Sequence, residues 1–65
     1  MSERSFLCLS SFESEGRYCY ENEIYTAYQM NPGWKFVFEN GEMNFVTSLF
    51  EETILAWSDV LREIY

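Results

Sequence analysis

The residues of this chain whose spacing is most like that of a catalytic or metal-binding site are acidic. They form three close pairs, Glu13/Glu15, Glu21/Glu23 and Glu51/Glu52. Residues two apart on a strand share a face, so such carboxylates are suited in principle to hold a divalent cation or to act as acid and base. No Asp-x-Asp-x-Asp-Gly loop accompanies them. We therefore expect solvated surface charge at these positions.

The chain contains no histidine. It therefore lacks the most common general base, the most common zinc ligand and every Ser–His or Cys–His nucleophile pair. Cys8 and Cys19 do not have the close spacing of zinc-binding cysteines. The three glycines occur in predicted turns rather than in a phosphate-binding loop. These observations predict a protein that is not an enzyme, with no catalytic residue, no metal and no cofactor.

The charge of the chain indicates the kind of partner. Eleven acidic residues oppose four basic ones among 65 residues, for a formal net charge of −7. Nucleic acids and anionic membranes repel such a protein, whereas a basic protein surface attracts it. No uncharged stretch has the length and apolar character of a membrane span. We expect a protein partner with a basic surface, no direct nucleic-acid binding and no membrane association.

Aromatic residues supply the material for a core. The chain has six Phe, five Tyr and two Trp, and each large ring buries on the order of 150–250 Å². A chain of this length has room for one domain, residues 1–65. The polar start, Met1 to Arg4, has no secretory signal, so we expect a cytoplasmic protein with Cys8 and Cys19 as buried free thiols.

Alternation and turn residues predict a hairpin between residues 34–39 and 42–46. Asn40-Gly41 is a preferred pair for a type I′ turn, because both central positions need positive φ. Pairing outward from this turn sets Phe38 opposite Met43 and Phe36 opposite Phe45. All four side chains then share one face, which we expect to be the core face.

Three further elements are predicted. Strands are expected at residues 6–12 and 24–30, the second ending at Asn31-Pro32-Gly33, with a polar loop at residues 13–16. Ser48 and Glu51 have capping-box spacing, and apolar residues recur beyond them at helical spacing, which predicts a helix over about 49–64. The sequence thus predicts an α+β fold: a small antiparallel sheet or SH3-like barrel of about four strands packed against one long C-terminal helix.

Four segments of this pattern resemble a known family. They are YENEIYTA (Tyr20 to Ala27), the Asn40-Gly41 turn, the Phe45-Val46 pair and the FEE run (Phe50 to Glu52). Together they resemble the small SH3-like barrel proteins encoded by bacteriophages, over residues 6–52. The glycine usual before the Ile-Tyr segment is absent here, and the long C-terminal helix is an addition. The resemblance implies a protein that binds a host factor in the host cytoplasm, and it assigns no functional residue.

Candidate partner-binding residues are of three kinds. Tyrosines are enriched at interfaces, acidic side chains suit a basic partner, and one leucine falls on the polar side of the predicted helix. These residues are Tyr18, Tyr20, Tyr25, Tyr28, Glu21, Glu23, Glu39, Glu42 and Leu55.

Three functions remain open from the sequence. The leading hypothesis is a small acidic phage-type accessory protein that binds a host protein and inhibits or redirects it. An alternative is an acidic nucleic-acid mimic that occupies the DNA or RNA site of an enzyme. A third is a structural or assembly protein that forms a homo-oligomer, for instance a dimer through the C-terminal helix.

Overall fold

Seven strands in two antiparallel sheets and one short helix make up residues 2–65, which the computed structural model describes. Their bounds are β1 Glu3–Cys8, β2 Phe12–Ser14, β3 Arg17–Cys19, β4 Ile24–Gln29, β5 Trp34–Phe38, β6 Gly41–Phe45, α1 Thr47–Ala56 and β7 Leu61–Ile64. One sheet has the order β6-β5-β4-β1-β7, and β2 and β3 form the other. The fold is therefore mostly sheet.

The expectation of about four strands and a long C-terminal helix is wrong. α1 has ten residues and ends at Ala56, and the last part of the chain forms β7. β7 pairs with β1 from Ser5↔Ile64 to Cys8↔Leu61. Pairing there satisfies backbone groups on the free edge of β1, which a continued helix would leave open. The three-residue spacing of Leu61 and Ile64 is a helical spacing, since residues three apart on a strand lie on opposite faces. Periodicity alone therefore predicts a helix here, and the pairing with β1 overrides it.

The start of α1 also differs from the expectation. Val46 occupies the N-cap position, and no side chain caps the helix. Glu51, expected to complete a capping box with Ser48, instead accepts a hydrogen bond from Arg4 at 2.8 Å. The carboxylate of Glu51 therefore forms a long-range ion pair with Arg4 instead of capping the helix.

β5 and β6 form a hairpin whose faces match the expectation but whose register does not. Phe36 pairs with Met43 and Phe38 with Gly41, and neither Asn40 nor Gly41 has a positive φ. The turn is therefore centred on Glu39-Asn40. Because the register differs by two residues, every side chain stays on its expected face.

A type I′ turn occurs instead within residues 13–16, the segment expected to be a polar loop. Glu15 and Gly16 both have positive φ, 51° and 80°, as a type I′ turn requires. Ser14 and Arg17 pair across this turn, so β2 and β3 form a second hairpin. The strand expected at 6–12 is accordingly divided, with β1 ending at Cys8 and β2 beginning at Phe12.

The core is aromatic and lies on the face of the five-stranded sheet that α1 covers. The fully buried Phe36 has its ring centroid 4.7 Å from that of Phe38 and 6.1 Å from that of Trp57. Phe50 of α1 is also fully buried and meets Phe6 edge-on at 6.3 Å. Edge and tilted ring pairs each add about 0.5–1.5 kcal/mol beyond the area they bury.

Gly33 makes the turn between β4 and β5 possible. Its φ is +89°, and a Cβ at this position would overlap the backbone carbonyl of Phe45. Both the dihedral angle and the close approach of β6 therefore require glycine.

Arg4 connects β1 to both β7 and α1. Its Nε and Nη2 donate to the two carboxylate oxygens of Glu63 at 2.8 Å each, and its Nη1 donates to Glu51 at 2.8 Å. The guanidinium carbon lies 5.3 Å from the ring centroid of Trp34 and 5.4 Å from that of Phe50. The Arg4 hydrogen bonds hold the pKa of Glu63 below its usual value.

We expect Glu63→Gln to lower the free energy of unfolding by about 1–3 kcal/mol at neutral pH, because it breaks a charge-assisted bidentate pair. Since the folded-state pKa of Glu63 is depressed, this contribution is complete above the unfolded value, near 4.5, and is lost as the pH falls through the folded value. Urea unfolding from neutral pH down to about pH 3 measures it.

The control for this variant is Glu52→Gln, which removes the same charge from an exposed position on α1. It should stay within about 0.5 kcal/mol of the wild type. Equal stabilities of the two variants across the pH range would contradict the role of Arg4.

A matched pair of leucine substitutions tests the burial of Leu61. Leu61 is 4% exposed and Leu55 is 76% exposed. Leu61→Ala should cost about 2–5 kcal/mol, whereas Leu55→Ala should change stability by no more than about 0.5 kcal/mol. Thermal unfolding followed by circular dichroism compares them. Similar costs for both substitutions would argue against the burial of Leu61 in the core.

Candidate protein-binding surface

The five-stranded sheet has one covered face and one open face. On β4, Tyr25 and Ala27 point to the core, while Ile24, Thr26 and Tyr28 alternate with them on the open face. Ile24 is 59% exposed. An antiparallel sheet usually presents polar residues on its solvated side, and exposed Ile24 departs from that pattern.

A shallow concavity of about 260 Å³ lies on this open face, between β4 and β5. Its walls combine aliphatic and aromatic groups with a single carboxylate. The lining residues are Ile24, Tyr25, Thr26, Tyr28, Val37, Phe38 and Glu39.

The hydroxyl of Tyr25 connects this concavity to the β2–β3 hairpin. It accepts a hydrogen bond from the backbone N–H of Tyr20 at 2.7 Å and donates to Glu39 Oε2 at 2.8 Å. Burial of the ring raises the pKa of Tyr25 to about 12; the hydrogen bond to Glu39 adds to the shift and the Tyr20 N–H opposes it. The hydroxyl therefore stays protonated at neutral pH and keeps donating to the carboxylate.

Asn40 fixes the β2–β3 hairpin beside the β5–β6 turn. Its Oδ1 accepts from the Tyr18 N–H at 2.8 Å, and its Nδ2 donates to the Gly16 carbonyl at 2.9 Å. The Glu39 N–H donates to the Tyr18 carbonyl at 2.9 Å. These contacts explain why the turn is centred on Glu39-Asn40, since a turn at Asn40-Gly41 would displace the asparagine.

Tyr18 and Tyr20 form a stacked pair on the outer side of β3. Their ring centroids are 6.4 Å apart and their planes differ by 6°, and the side chains are 39% and 49% exposed. Cys19, between them, is fully buried. We use the name tyrosine–carboxylate surface for the stacked pair together with the concavity and Glu39.

The structure brings some of the expected binding residues together and separates others. Glu42 is opposite Val37 in the hairpin register, so it borders the concavity, and it lies 3.9 Å from Lys35. Glu21 and Glu23 are exposed in the connection between β3 and β4. The ring of Tyr25 is buried, so this residue contributes its hydroxyl alone.

Leu55 does not belong to the tyrosine–carboxylate surface. It lies on the solvent side of α1, and α1 packs through Phe50 against the core face of the sheet. The exposed leucine and the concavity are therefore on opposite sides of the sheet.

Ile24, Thr26 and Val37 were not among the expected binding residues. Their signal was present in the alternation of β4 and β5. Buried Tyr25 and Ala27 place their neighbours on the opposite face of β4, and Val37 alternates in the same way with the buried residues of β5. Asn40 was interpreted as a turn residue, and no local pattern indicates its bonds to a hairpin 22 to 24 positions away.

Comparison with protein-family models, with curated proteins and with solved structures gives no match. The resemblance to phage-encoded SH3-like proteins therefore stays a prediction. Within residues 2–65, no helix is long and apolar enough to cross a membrane. The same residues hold no group of three or more His, Cys, Asp or Glu side chains placed to bind a metal ion.

We expect Tyr25→Phe to destabilise the protein by about 1–3 kcal/mol at neutral pH, because it removes the acceptor for the Tyr20 N–H and the donor to Glu39. Tyr18→Phe removes a hydroxyl from an exposed ring and should change stability by no more than about 0.5 kcal/mol. Urea unfolding of the two variants measures the difference.

The effect of Tyr25→Phe on stability should also depend on pH in the alkaline range. The pKa of Tyr25 is raised from 10 to about 12 on folding, so its stabilising contribution is complete below about pH 10 and is lost as the pH rises toward 12. The gap in stability between the wild type and Tyr25→Phe should therefore narrow over this range. A gap that stays constant would contradict the assignment.

Proposed function

We propose that this protein acts by binding another protein through the tyrosine–carboxylate surface, and that binding inhibits or redirects the partner. The observation that carries the proposal is the linked arrangement of Tyr20, Tyr25 and Glu39. It joins an exposed pair of aromatic rings to the open concavity. Binding rather than catalysis is proposed because the chain has no histidine and the surface centres on rings and one carboxylate.

The physical character of the surface supports this proposal. Tyrosine supplies a large, rigid contact area and loses little conformational entropy when it is immobilised. Tyr18 and Tyr20 are held in place by the Asn40 contacts and the Tyr25 hydroxyl, so they are preorganised for a partner. Exposed Ile24 adds apolar area that a partner would remove from water.

The charge distribution favours a basic partner. Glu39 and Glu42 lie beside the concavity, and the chain carries a formal charge of −7. Charges at an interface rim steer association and select against partners of like charge. With the resemblance to phage-encoded proteins, the proposed partner is a host protein in the bacterial cytoplasm.

The two alternative functions have less support. A nucleic-acid mimic needs its carboxylates free, yet Arg4 holds both Glu51 and Glu63 in ion pairs. A homo-oligomer through α1 would use Leu55, the most exposed leucine of the helix. Sedimentation of the purified protein distinguishes this last possibility, since we expect a monomer.

Capture from a bacterial lysate at moderate salt tests the proposal, with the wild type, the double variant Tyr18→Ser/Tyr20→Ser and the control Leu55→Ser. We expect the wild type and the control to retain the same protein. The double variant should bind it at least about tenfold more weakly, because interface tyrosines often contribute more than about 1 kcal/mol each.

Two results would contradict the proposal. One is capture that survives the double variant unchanged but is lost in Leu55→Ser, which would move the binding site to α1. The other is the absence of any retained protein in all three samples. Circular dichroism of the three proteins confirms that a loss of binding is not a loss of folding.

A further inference from the structure

We infer that the concavity between β4 and β5 receives an arginine side chain of the partner, with its guanidinium on Glu39 and its methylene stem along Ile24 and Val37. The inference rests on the proposed function and specifies the partner's chemistry.

The size of the concavity favours one large side chain. Its volume is about 260 Å³, whereas sites for small molecules and cofactors are commonly about 300–1,000 Å³. It opens on the free face of the sheet, so a side chain presented by another protein enters it directly from solvent. The site is therefore suited to an anchor residue of an interface.

The lining matches a long side chain with a charged end. Ile24 and Val37 supply aliphatic walls, and Glu39 contributes the one charged group. Arginine and lysine both have an apolar stem that packs on such walls while the charged end stays at a polar group. An aliphatic side chain would contact the walls but leave the carboxylate without a partner. An acidic side chain would be repelled by the carboxylate.

Glu39 has unused acceptor capacity. Its Oε2 accepts from the Tyr25 hydroxyl, and within residues 2–65 its Oε1 accepts no hydrogen bond and Glu39 forms no ion pair. The ion pairs of this part of the chain use Arg4 and Lys35. A carboxylate fixed by one hydrogen bond at the edge of the concavity therefore has a site for a cation from a partner.

A guanidinium fits this site better than an ammonium. It is planar and weakly hydrated, it donates in a fork that matches a carboxylate, and it stacks on aromatic rings. Tyr28 lines the same concavity and its side chain is exposed on the open face, so it provides such a ring. An ammonium holds its water more strongly and makes a single-point contact.

A fragment titration followed by ¹H–¹⁵N NMR tests the inference on the full chain. The probes are n-butylguanidinium, n-butylammonium and the neutral n-butylurea, each raised into the millimolar range. We expect n-butylguanidinium to cause saturable shifts at the amides of Ile24, Thr26, Val37 and Glu39. The dissociation constant should be at least about threefold higher for n-butylammonium, and n-butylurea should cause no saturable shift.

Two charge-matched variants locate the binding. Glu39→Gln removes the charge but keeps an acceptor for the Tyr25 hydroxyl, and it should weaken n-butylguanidinium binding at least about tenfold. Glu52→Gln removes the same charge from exposed α1 and should leave the dissociation constant within about twofold. Equal binding of n-butylurea, or shifts spread over all carboxylates with no saturation near Ile24, would overturn the inference.

The outcome separates the inference from the proposed function. If the captured partner depends on Tyr18 and Tyr20 but binds Glu39→Gln and Glu52→Gln equally well, the function stands and the arginine subsite is wrong. If n-butylguanidinium binds as expected and no variant captures a partner, the subsite stands and the proposed function is wrong.

Discussion

The burial of Phe36 is the constraint on which the other parts of this structure depend. Its ring lies within 6.5 Å, centroid to centroid, of rings from β1 (Phe6), from β4 (Tyr25) and from the segment after α1 (Trp57). A chain of 65 residues buries only about 60% of the surface that its unfolded form exposes. Rings that pack on a common centre supply the apolar area such a small core requires, and they commit one face of the sheet to the interior.

Burial of one face of the sheet also determines which residues form the tyrosine–carboxylate surface on the other side. Because strand residues alternate between faces, packing Tyr25 inward sends Ile24 and Thr26 outward, and the same alternation turns the half-buried Val37 of β5 to the open face. The Tyr25 ring stays in the core while its hydroxyl reaches Glu39 at the edge. Tyr25 thus links the position of its own ring in the core to the position of the Glu39 carboxylate.

The fold was partly predictable because local and tertiary preferences agree along the hairpins. Alternation identified the core face of β5 and β6, and it placed Tyr28 and Tyr25 on opposite faces. It did not identify the register, because a shift of two residues keeps every side chain on its face. The observed register is the one in which the Asn40 side chain makes hydrogen bonds to backbone groups of the β2–β3 hairpin.

The sequence by itself determined the acidic character, the aromatic core, the faces of the strands and the absence of histidine chemistry, because these follow from composition and from a period of two. Tertiary structure alone decided the end of α1, the existence of β7 and the joining of Tyr20 to Glu39 through one hydroxyl. The reason is that the three-residue spacing from Leu61 to Ile64 continues a helical pattern, so the local sequence favours a helix where the protein forms a strand. The free edge of β1, distant in sequence, supplied the hydrogen bonds that selected the strand.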